Sequence, residues 1–381
     1  MNLADPLLAV PLLAGIWYLS VHAGLLAGLR RISRGRTATA RPRVSVIVAA
    51  RNEEPVIPAL LEALRRQTYP EIEFVIVDDR SEDRTAAIVT ELCAHDRRFR
   101  LVRITEPSED MPAKKHALRS GIIASAGELL CFTDADCLPG PRWVERLVEL
   151  FDERTGFVAG YSPYRIRLAD GKPASTGNAG KWLDRFIAYE ELRGAIWSAG
   201  AIGMNRGWLC TGRNLAYRRA AYDEVGGFEP IKMSVSGDDD LFLQVVRRKT
   251  RWDIRYCLAP DNFVPTFPPE SFGDFVRQRT RHFSAGKHFR ALQKLFFLSY
   301  HGANLILYAS LIAVAIGAPI AALAGFALKF IADGALILRG ASAFGERAFR
   351  FRFPQMELLY LLYNTFIGPL GFVGKVKWKQ A

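Results

Sequence analysis

Four short apolar runs recur about every 28 residues in the first part of the chain, and this regular spacing constrains the fold most strongly. They are VSVIVA from residue 44, FVIV from 74, LVRI from 101 and ELLCFT from 128. Helical patterns separate the runs, and Leu60, Leu61 and Leu64 fall on one face of the first helix. Strands that alternate with helices predict a parallel sheet covered on both faces, which binds ligands beyond the carboxyl ends of its strands.

Acidic residues follow three of these strands directly. The first strand runs into AARNEE (49–54), the second into DDRS (78–81) and the fourth into TDAD (133–136). Because the ends of parallel strands share one edge of the sheet, we expect these side chains to line one cleft. Neither GxGxxG nor GxxxxGKS/T follows the first strand, which disfavours a dinucleotide site and a P-loop.

Asp134 and Asp136 flank a single small residue at the end of the fourth strand. This spacing lets both carboxylates reach one divalent cation and leaves other positions to substrate oxygens. Mg²⁺ or Mn²⁺ held in this way usually also takes phosphate ligands. The alternative, which is the better interpretation of an isolated triplet, is a turn that caps the helix starting near Pro141.

Charged residues near other predicted helix starts extend this set. Asp78 and Asp79 can accept hydrogen bonds from a base or a ribose, or can belong to a loop that caps the helix after Asp83. Lys114 can neutralise a diphosphate, although Lys114 and Lys115 also suit a solvated helix face.

Two downstream motifs carry further charge. SGDDDLFL puts three acids in a first helical turn, where single acids are ordinary, but successive acids repel one another and raise the pKa of at least one, as a general base requires. RQRTRH (277–282) has a phosphate-binding character through its guanidinium groups, and a basic amphipathic helix resting on lipid is the alternative.

Residues 6 to 29 contain no Asp, Glu, Lys or Arg, and at ~1.5 Å per residue this run can cross ~30 Å of hydrocarbon. A cleaved signal peptide is disfavoured because no basic region precedes the run. The arginines that follow without an intervening acid are Arg30, Arg31, Arg34, Arg36, Arg41 and Arg43. By the positive-inside rule they hold the next domain on the cytoplasmic side.

Three more apolar stretches occupy the C-terminal third, at about 295–316, 319–338 and 354–373. We expect two or three membrane-embedded helices here, with packing of the first two on the bilayer surface as the alternative. The third stretch is interrupted by Asn364 and Pro369, which favours a re-entrant or interfacial segment.

Composition excludes several classes of protein. The 51 Lys and Arg outnumber the 39 Asp and Glu and give a formal charge of +12. This surplus lies beside apolar segments, which disfavours nucleic acid as a partner and suits an anionic lipid surface. The 5 cysteines are scattered and lack the close pairs of zinc or dithiol redox sites.

Taken in order, RNEE, VDDRS, PAKKHAL, TDAD, GRNLAYRR, SGDDDL and QRTRH resemble the motifs of a membrane-associated family 2 glycosyltransferase. The resemblance covers about residues 42 to 285, and the ordered set is far more specific than any single motif. It implies a GT-A nucleotide-diphospho-sugar transferase fold, an α/β fold with a doubly wound mixed sheet. It also implies inverting transfer from a nucleotide diphosphate sugar, with a UDP-sugar favoured and Mn²⁺ or Mg²⁺ as cofactor.

The resemblance also assigns residues by motif position. Those implied to bind the nucleotide sugar are Ala50, Arg51, Glu53, Asp78, Asp79, Lys114, Asp134, Gly212 and Asn214. Asp134 and Asp136 are the implied metal ligands. Asp238 aligns with the general base, and Asp239 is its rival because Gly237-Asp238 replaces the usual Glu-Asp pair.

The same resemblance places Gln278, Arg279 and Arg281 at the diphosphate or the acceptor. His282 stands where the Gln-x-x-Arg-Trp motif has a tryptophan on which an acceptor ring would stack. This departure argues against processive polysaccharide synthesis.

The predicted organisation is a membrane anchor with a basic segment (1–41), a GT-A domain (42–290) and a C-terminal membrane region (291–381). A cytoplasmic catalytic face held at the cell (inner) membrane predicts a lipid hydroxyl as acceptor. The alternatives are a polysaccharide synthase of the same family, a non-catalytic nucleotide-sugar-binding membrane partner, and a nucleotidyltransferase whose glycine-rich loop is not evident. The sequence makes no prediction of oligomeric state.

Overall fold

The computed structural model describes residues 6–32, 41–167, 173–175, 181–315 and 320–373. Its main strands are β1 Val44–Ala50, β2 Ile72–Asp79, β3 Phe99–Ile104, β4 Leu129–Phe132 and β5 Thr155–Gly160, followed by the short pair β6 Arg165–Arg167 and β7 Pro173–Ser175, then β8 Leu215–Arg218 and β9 Asp253–Cys257. Seven of them form one sheet in the order β3-β2-β1-β4-β8-β5-β9, and β6 pairs with β7 separately.

The sheet is mixed and doubly wound. β1 is parallel to β2 and β4, whereas β8 is antiparallel to both of its neighbours, β4 and β5. The chain adds β2 and β3 on one side of β1 and then places β4 on the other side. Such a reversal of strand order opens a crevice at the carboxyl ends of β1 and β4, which is where the predicted acids lie.

Helices cover both faces of the sheet. They are α2 Ile57–Arg65, α3 Thr85–His95, α4 Ala113–Ala124, α5 Trp143–Val148, α6 Trp182–Gly203, α7 Arg219–Glu224, α8 Asp240–Lys249 and α9 Phe272–Ser284. Side chains of β1 alternate between two cores: Val46 and Val48 pack with residues of α2, and Ile47 lies against α4. The buried runs seen in the sequence therefore form the centre of the sheet.

A helical bundle adjoins this domain. It consists of α1 Pro6–Arg31, α10 Ala291–Ala315, α11 Ile320–Ala343 and α12 Phe353–Phe366. α1 packs against α6, α10 and α11. A Cβ on Gly28 would lie 1.9 Å from the Gly200 carbonyl oxygen, and one on Gly15 would lie 2.8 Å from that of Gly325. Small residues thus let the backbones of α1, α6 and α11 approach closely, as in membrane helix pairs.

Within the described residues, Ala9–Arg31 and Ala291–Ile312 are helices long and apolar enough to cross a membrane, with mean hydropathy of 1.6 and 1.4. α12 has 14 residues and reaches only ~21 Å, short of the ~30 Å hydrocarbon core. That the last apolar stretch is re-entrant or interfacial stays a prediction. Arg34 and Arg36 of the predicted basic segment lie outside the described residues.

Candidate active site

The loops that follow β1 and β2 are joined by hydrogen bonds. The Asn52 amide donates to Ser81 Oγ at 3.0 Å, and the Glu53 amide donates to Thr85 Oγ1 at 2.8 Å. Asn52 has a φ of 53°, a left-handed conformation that asparagine tolerates better than most residues. Arg51, just before this turn, is buried. These hydrogen bonds therefore hold the two loops together at the carboxyl edge of the sheet.

Two buried carboxylates end β2 beside Ala50, which pairs with Asp78 in register. Asp78 and Asp79 are each 1% exposed. Within the described part of the chain, neither oxygen of Asp78 accepts a hydrogen bond, and its ion-pair partner, Arg103 Nε, is 3.8 Å away. Asp79 Oδ1 accepts a hydrogen bond from Arg80 Nε at 2.9 Å, but its Oδ2 accepts none there. Because unpaired buried carboxylates are costly, this edge suits a ligand that donates hydrogen bonds.

Lys114 joins two acidic segments that are distant in sequence. Its Nζ lies 3.0 Å from Asp134 Oδ1 and 3.2 Å from Asp238 Oδ2, above a cleft floor formed by Phe132 and Tyr217. Desolvation alone would lower the pKa of Lys114, but the neighbouring aspartates raise it above its ordinary value. The ammonium is therefore permanently charged at the centre of the cleft.

The first two of the three successive aspartates, Asp238 and Asp239, have different environments. Burial would raise the pKa of Asp238, but Lys114 and Lys115 lower it below its ordinary value. Burial and the charge of Asp238 raise the pKa of Asp239, whose Oδ2 accepts a hydrogen bond from the Gly212 amide at 2.9 Å. Asp239 Oδ1 accepts a second one from the next backbone amide and caps α8. Of this pair, Asp238 is thus the one held ionised by lysines.

Asp134 lines the cleft and is partly exposed, and Asp136, two residues further along, is exposed to solvent. Thr266 Oγ1 donates to Asp136 Oδ2 at 3.4 Å. Desolvation in the cleft, and then the charge of Asp134, raise the pKa of Asp136. Two such carboxylates suit a divalent cation with oxygen ligands. The described residues contain no group of three His, Cys, Asp or Glu side chains placed to bind a metal.

Lys115, next to Lys114, points elsewhere. It is fully buried, and its Nζ donates to the carbonyl oxygens of Ser236, at 2.8 Å, and of Ser234. These two residues belong to the loop that leads into Asp238. A solvated helix face was one interpretation of Lys114 and Lys115, but in the structure Lys115 is buried and holds the loop that carries the candidate base.

The structure places the side chain of Asn214, predicted to bind the nucleotide sugar, in the protein interior and not in the cleft. Asn214 is fully buried, and its amide nitrogen donates to the carbonyl oxygens of Tyr161 and Asn262, each at 2.9 Å. Its Oδ1 accepts a hydrogen bond from Trp143 Nε1 at 2.9 Å. Asn214 therefore supports the segment after Gly212, while Gly212 itself borders the cleft.

Arg279 also departs from its predicted position. It is 3% exposed and forms an ion pair with Glu190 of α6, with the rings of Tyr164 and Phe275 within 5.8 Å of its guanidinium carbon. A phosphate would have to replace this buried ion pair. Arg279 consequently holds α9 to α6 and does not face the cleft.

The neighbours of Arg279 on α9 remain near the cleft. Arg281 lies close enough to Lys114 to oppose its positive charge, and the side chain of His282 is exposed to solvent. Gln278 Oε1 accepts a hydrogen bond from a tyrosine hydroxyl at 3.4 Å.

Arg213 is a site residue that sequence analysis missed. It is buried, donates to the Tyr164 hydroxyl at 2.8 Å and pairs with Glu191 Oε2 at 2.5 Å. Its charge reaches Asp136, whose pKa it lowers against the stronger effect of desolvation. Its position in the motif GRNLAYRR, between the predicted site residues Gly212 and Asn214, could have pointed to it.

Comparison with known proteins decides the family. The model of Glycosyl transferase family 2 matches residues 45–226. Glycosyltransferase AglE from Haloferax volcanii is 38% identical over 246 residues, which cover 63% of this chain and 71% of that protein. The chain belongs to glycosyl transferase family 2. This membership confirms the resemblance to family 2 glycosyltransferases that the sequence motifs indicated.

A beta-monoglucosyldiacylglycerol synthase from Trichormus variabilis is 29% identical to this family 2 chain over 248 residues, or 64% of this chain and 49% of that protein. The chain spans about half the length of the curated bacterial relatives it matches. Mannosyltransferase PcManGT from Pyrobaculum calidifontis, solved with GDP-Man and Mn²⁺, aligns with a TM-score of 0.54 and 21% identity, over 93% of this chain and 99% of that one. This likeness confirms the GT-A fold.

Proposed function

We propose that this glycosyltransferase moves a hexose from a nucleotide diphosphate sugar, with a UDP-sugar as the favoured donor, to a hydroxyl group of a membrane lipid, with inversion at the anomeric carbon. The observation that carries the proposal is the position of Lys114 between Asp134 and Asp238. The ammonium of Lys114 joins Asp134, one of the two proposed metal ligands, to Asp238, the proposed general base. One cleft thus offers both a group for the departing diphosphate and a group for the acceptor proton.

Asp238 is the proposed general base. The charges of Lys114 and Lys115 keep it ionised. A bound diphosphate attracts the Lys114 ammonium, and as Lys114 turns toward the phosphates, Asp238 loses part of the charge that depresses its pKa and becomes more basic. Asp239 is a poorer base because two backbone amides occupy its oxygens.

The donor is proposed to lie along the edge of the sheet. Asp78 and Asp79 offer acceptors to the base or the ribose, beside Arg51 and Glu53. Asp134 and Asp136 would hold Mn²⁺ or Mg²⁺, which offsets negative charge on the leaving diphosphate when bound. Lys114 would lie on the diphosphate, with Arg281 and Gln278 on the acceptor side of the cleft.

The lipid acceptor rests on how α1 is attached to the catalytic domain. α1 packs directly on α6, and α6 supplies the partly buried acids that pair with Arg213, next to the cleft, and with Arg279 of α9. A relative whose name specifies glucosyl transfer to diacylglycerol supports the same acceptor class. With α1 as anchor, we place the enzyme at the cell membrane with its catalytic domain (42–290) in the cytoplasm, between membrane regions 1–41 and 291–381.

The test is transfer from labelled nucleotide sugars by the full chain in phosphatidylcholine vesicles, with and without diacylglycerol. We expect label in the organic phase only when diacylglycerol and Mn²⁺ are present, and none in excess EDTA. Label confined to a water-soluble polymer would reject the lipid acceptor. Donor binding without transfer or hydrolysis would favour the non-catalytic alternative.

A further inference from the structure

A second pocket lies in the helical bundle, between α10, α11 and α12. It encloses about 190 Å³ and is walled by the rings of Tyr308, Phe326 and Phe353. Phe330 and Leu358, at 46% and 48% exposure, border it on the outer surface of the bundle. None of its lining residues lines the catalytic cleft. The pocket is thus apolar along its walls and at its rim.

The floor of this pocket is polar. Glu357 and Lys329 are 3% and 1% exposed, and Glu357 Oε2 lies 4.0 Å from Lys329 Nζ. Glu357 Oε1 accepts hydrogen bonds from Tyr189 and Arg193, but Oε2 accepts none within the described residues. An unused acceptor therefore faces the pocket at full burial, where it is most costly.

Lys329 supplies the complementary group. Its Nζ donates to Asp333, and the rings of Tyr18 and Tyr308 lie 4.9 Å from it. One hydrogen bond to Asp333 leaves further N–H donors without a conventional acceptor in the described part of the chain. A hydroxyl oxygen about 2.8 Å from each group fits the 4.0 Å gap, since a hydroxyl both donates to a carboxylate and accepts from an ammonium.

The charges around the floor exclude an ionic ligand. Arg193 and Lys329 balance Asp333 and Glu357, and all four side chains are buried. An anionic or cationic headgroup would leave one charge unpaired away from water, which is strongly unfavourable. A neutral alcohol adds two hydrogen bonds and no charge.

We propose that this pocket binds a neutral, hydroxyl-bearing membrane lipid. The hydroxyl lies between Glu357 and Lys329, and the hydrocarbon chain passes between Phe330 and Leu358 into the bilayer. The proposal concerns binding at a site apart from the cleft and does not depend on transfer of sugar to the bound lipid.

The test uses the full chain in phosphatidylcholine nanodiscs and a diazirine-bearing hexadecanol as photoprobe, with the methyl ether of that probe for comparison. We expect the alcohol to label peptides of α11 and α12 and the ether, which cannot donate to Glu357, to label them about fivefold less, the effect of one hydrogen bond. Equal labelling by both probes would overturn the proposal, because it would mean that water occupies the floor and the probe only partitions into lipid.

Leu358→Trp fills the rim, and Leu362→Trp, one turn further along the same helix and 45% exposed, is the matched control. We expect alcohol labelling to fall at least fivefold in the first variant and to remain unchanged in the second. Equal labelling of the two variants would also overturn the proposal. The comparison of probes on the unmodified chain keeps the test valid if Leu358→Trp does not fold.

Discussion

Lys114 and Lys115 are adjacent but have different roles, and this difference shows how the cleft depends on the direction of each side chain. Residues on a helix are turned by ~100° from one position to the next, so Lys114 faces the aspartates while Lys115 enters the interior. The same rotation separates Arg279 from Gln278 and Arg281, which are three positions apart and share a face. The sequence of a motif does not by itself reveal the direction in which each side chain points.

Asp238→Asn is expected to lower kcat by ~10²- to 10⁴-fold with little change in the KM for donor, because it removes the proposed proton acceptor. Asp239→Asn is expected to change kcat less than tenfold, since asparagine caps a helix as well as aspartate does. Steady-state kinetics with both variants measure the difference. The reverse order of effects would transfer the role of base to Asp239.

Lys115→Met removes two buried hydrogen bonds to the loop that carries Asp238 and is expected to lower the free energy of unfolding by ~1–3 kcal/mol. Because the loop loosens, kcat should also fall while donor KM changes little. Chemical denaturation and initial rates measure the two effects. Lys232→Met, at a half-exposed lysine, is the control, and equal results for both variants would contradict the positioning role.

At the scale of elements, the sequence predicts what is periodic. The predicted runs at 44, 74, 101 and 128 coincide with β1 to β4 because buried parallel strands are continuous apolar segments. β8 was not predicted, since four residues, LAYR, show no clear periodicity. The position of the Asn214 side chain could not be predicted either, because its direction depends on the short segment that enters β8. This segment turns the side chain into the core, where three partners satisfy its hydrogen-bonding groups.

The contact between α1 and α6 gives a prediction for one pair of glycines in α6. Gly200→Ala puts a Cβ 2.7 Å from the Leu25 carbonyl oxygen and is expected to lower the melting temperature. Gly194→Ala meets no atom within 4 Å and is expected to raise it slightly, because alanine stabilises a helix by ~0.5–1 kcal/mol relative to glycine. Thermal unfolding in detergent measures both. Equal shifts would mean that the close helix contact is absent.

Across the whole molecule, the catalytic domain and the bundle share one hydrophobic core. Ile47 of the central strand, Tyr18 of α1 and Tyr363 of α12 belong to the same cluster. The composition of the chain changes near residues 41 and 290, which predicts boundaries there, but composition does not report packing between segments. α6 makes the connection. Its Glu191 pairs with Arg213 next to the cleft, and its Arg193 joins the polar network of the bundle.

The central claim is that two metal-binding aspartates and a general base, each with a separate task, share one cleft. Equilibrium binding of nucleotide sugar to the full chain tests this claim most directly. With Mn²⁺ present, Asp136→Ala is expected to lose donor binding, whereas Asp238→Asn is expected to bind donor like the unmodified chain and to lose turnover. Excess EDTA should make the unmodified chain behave like Asp136→Ala. Donor binding that is unaffected by Asp136→Ala and by EDTA, with turnover retained in Asp238→Asn, would contradict the account.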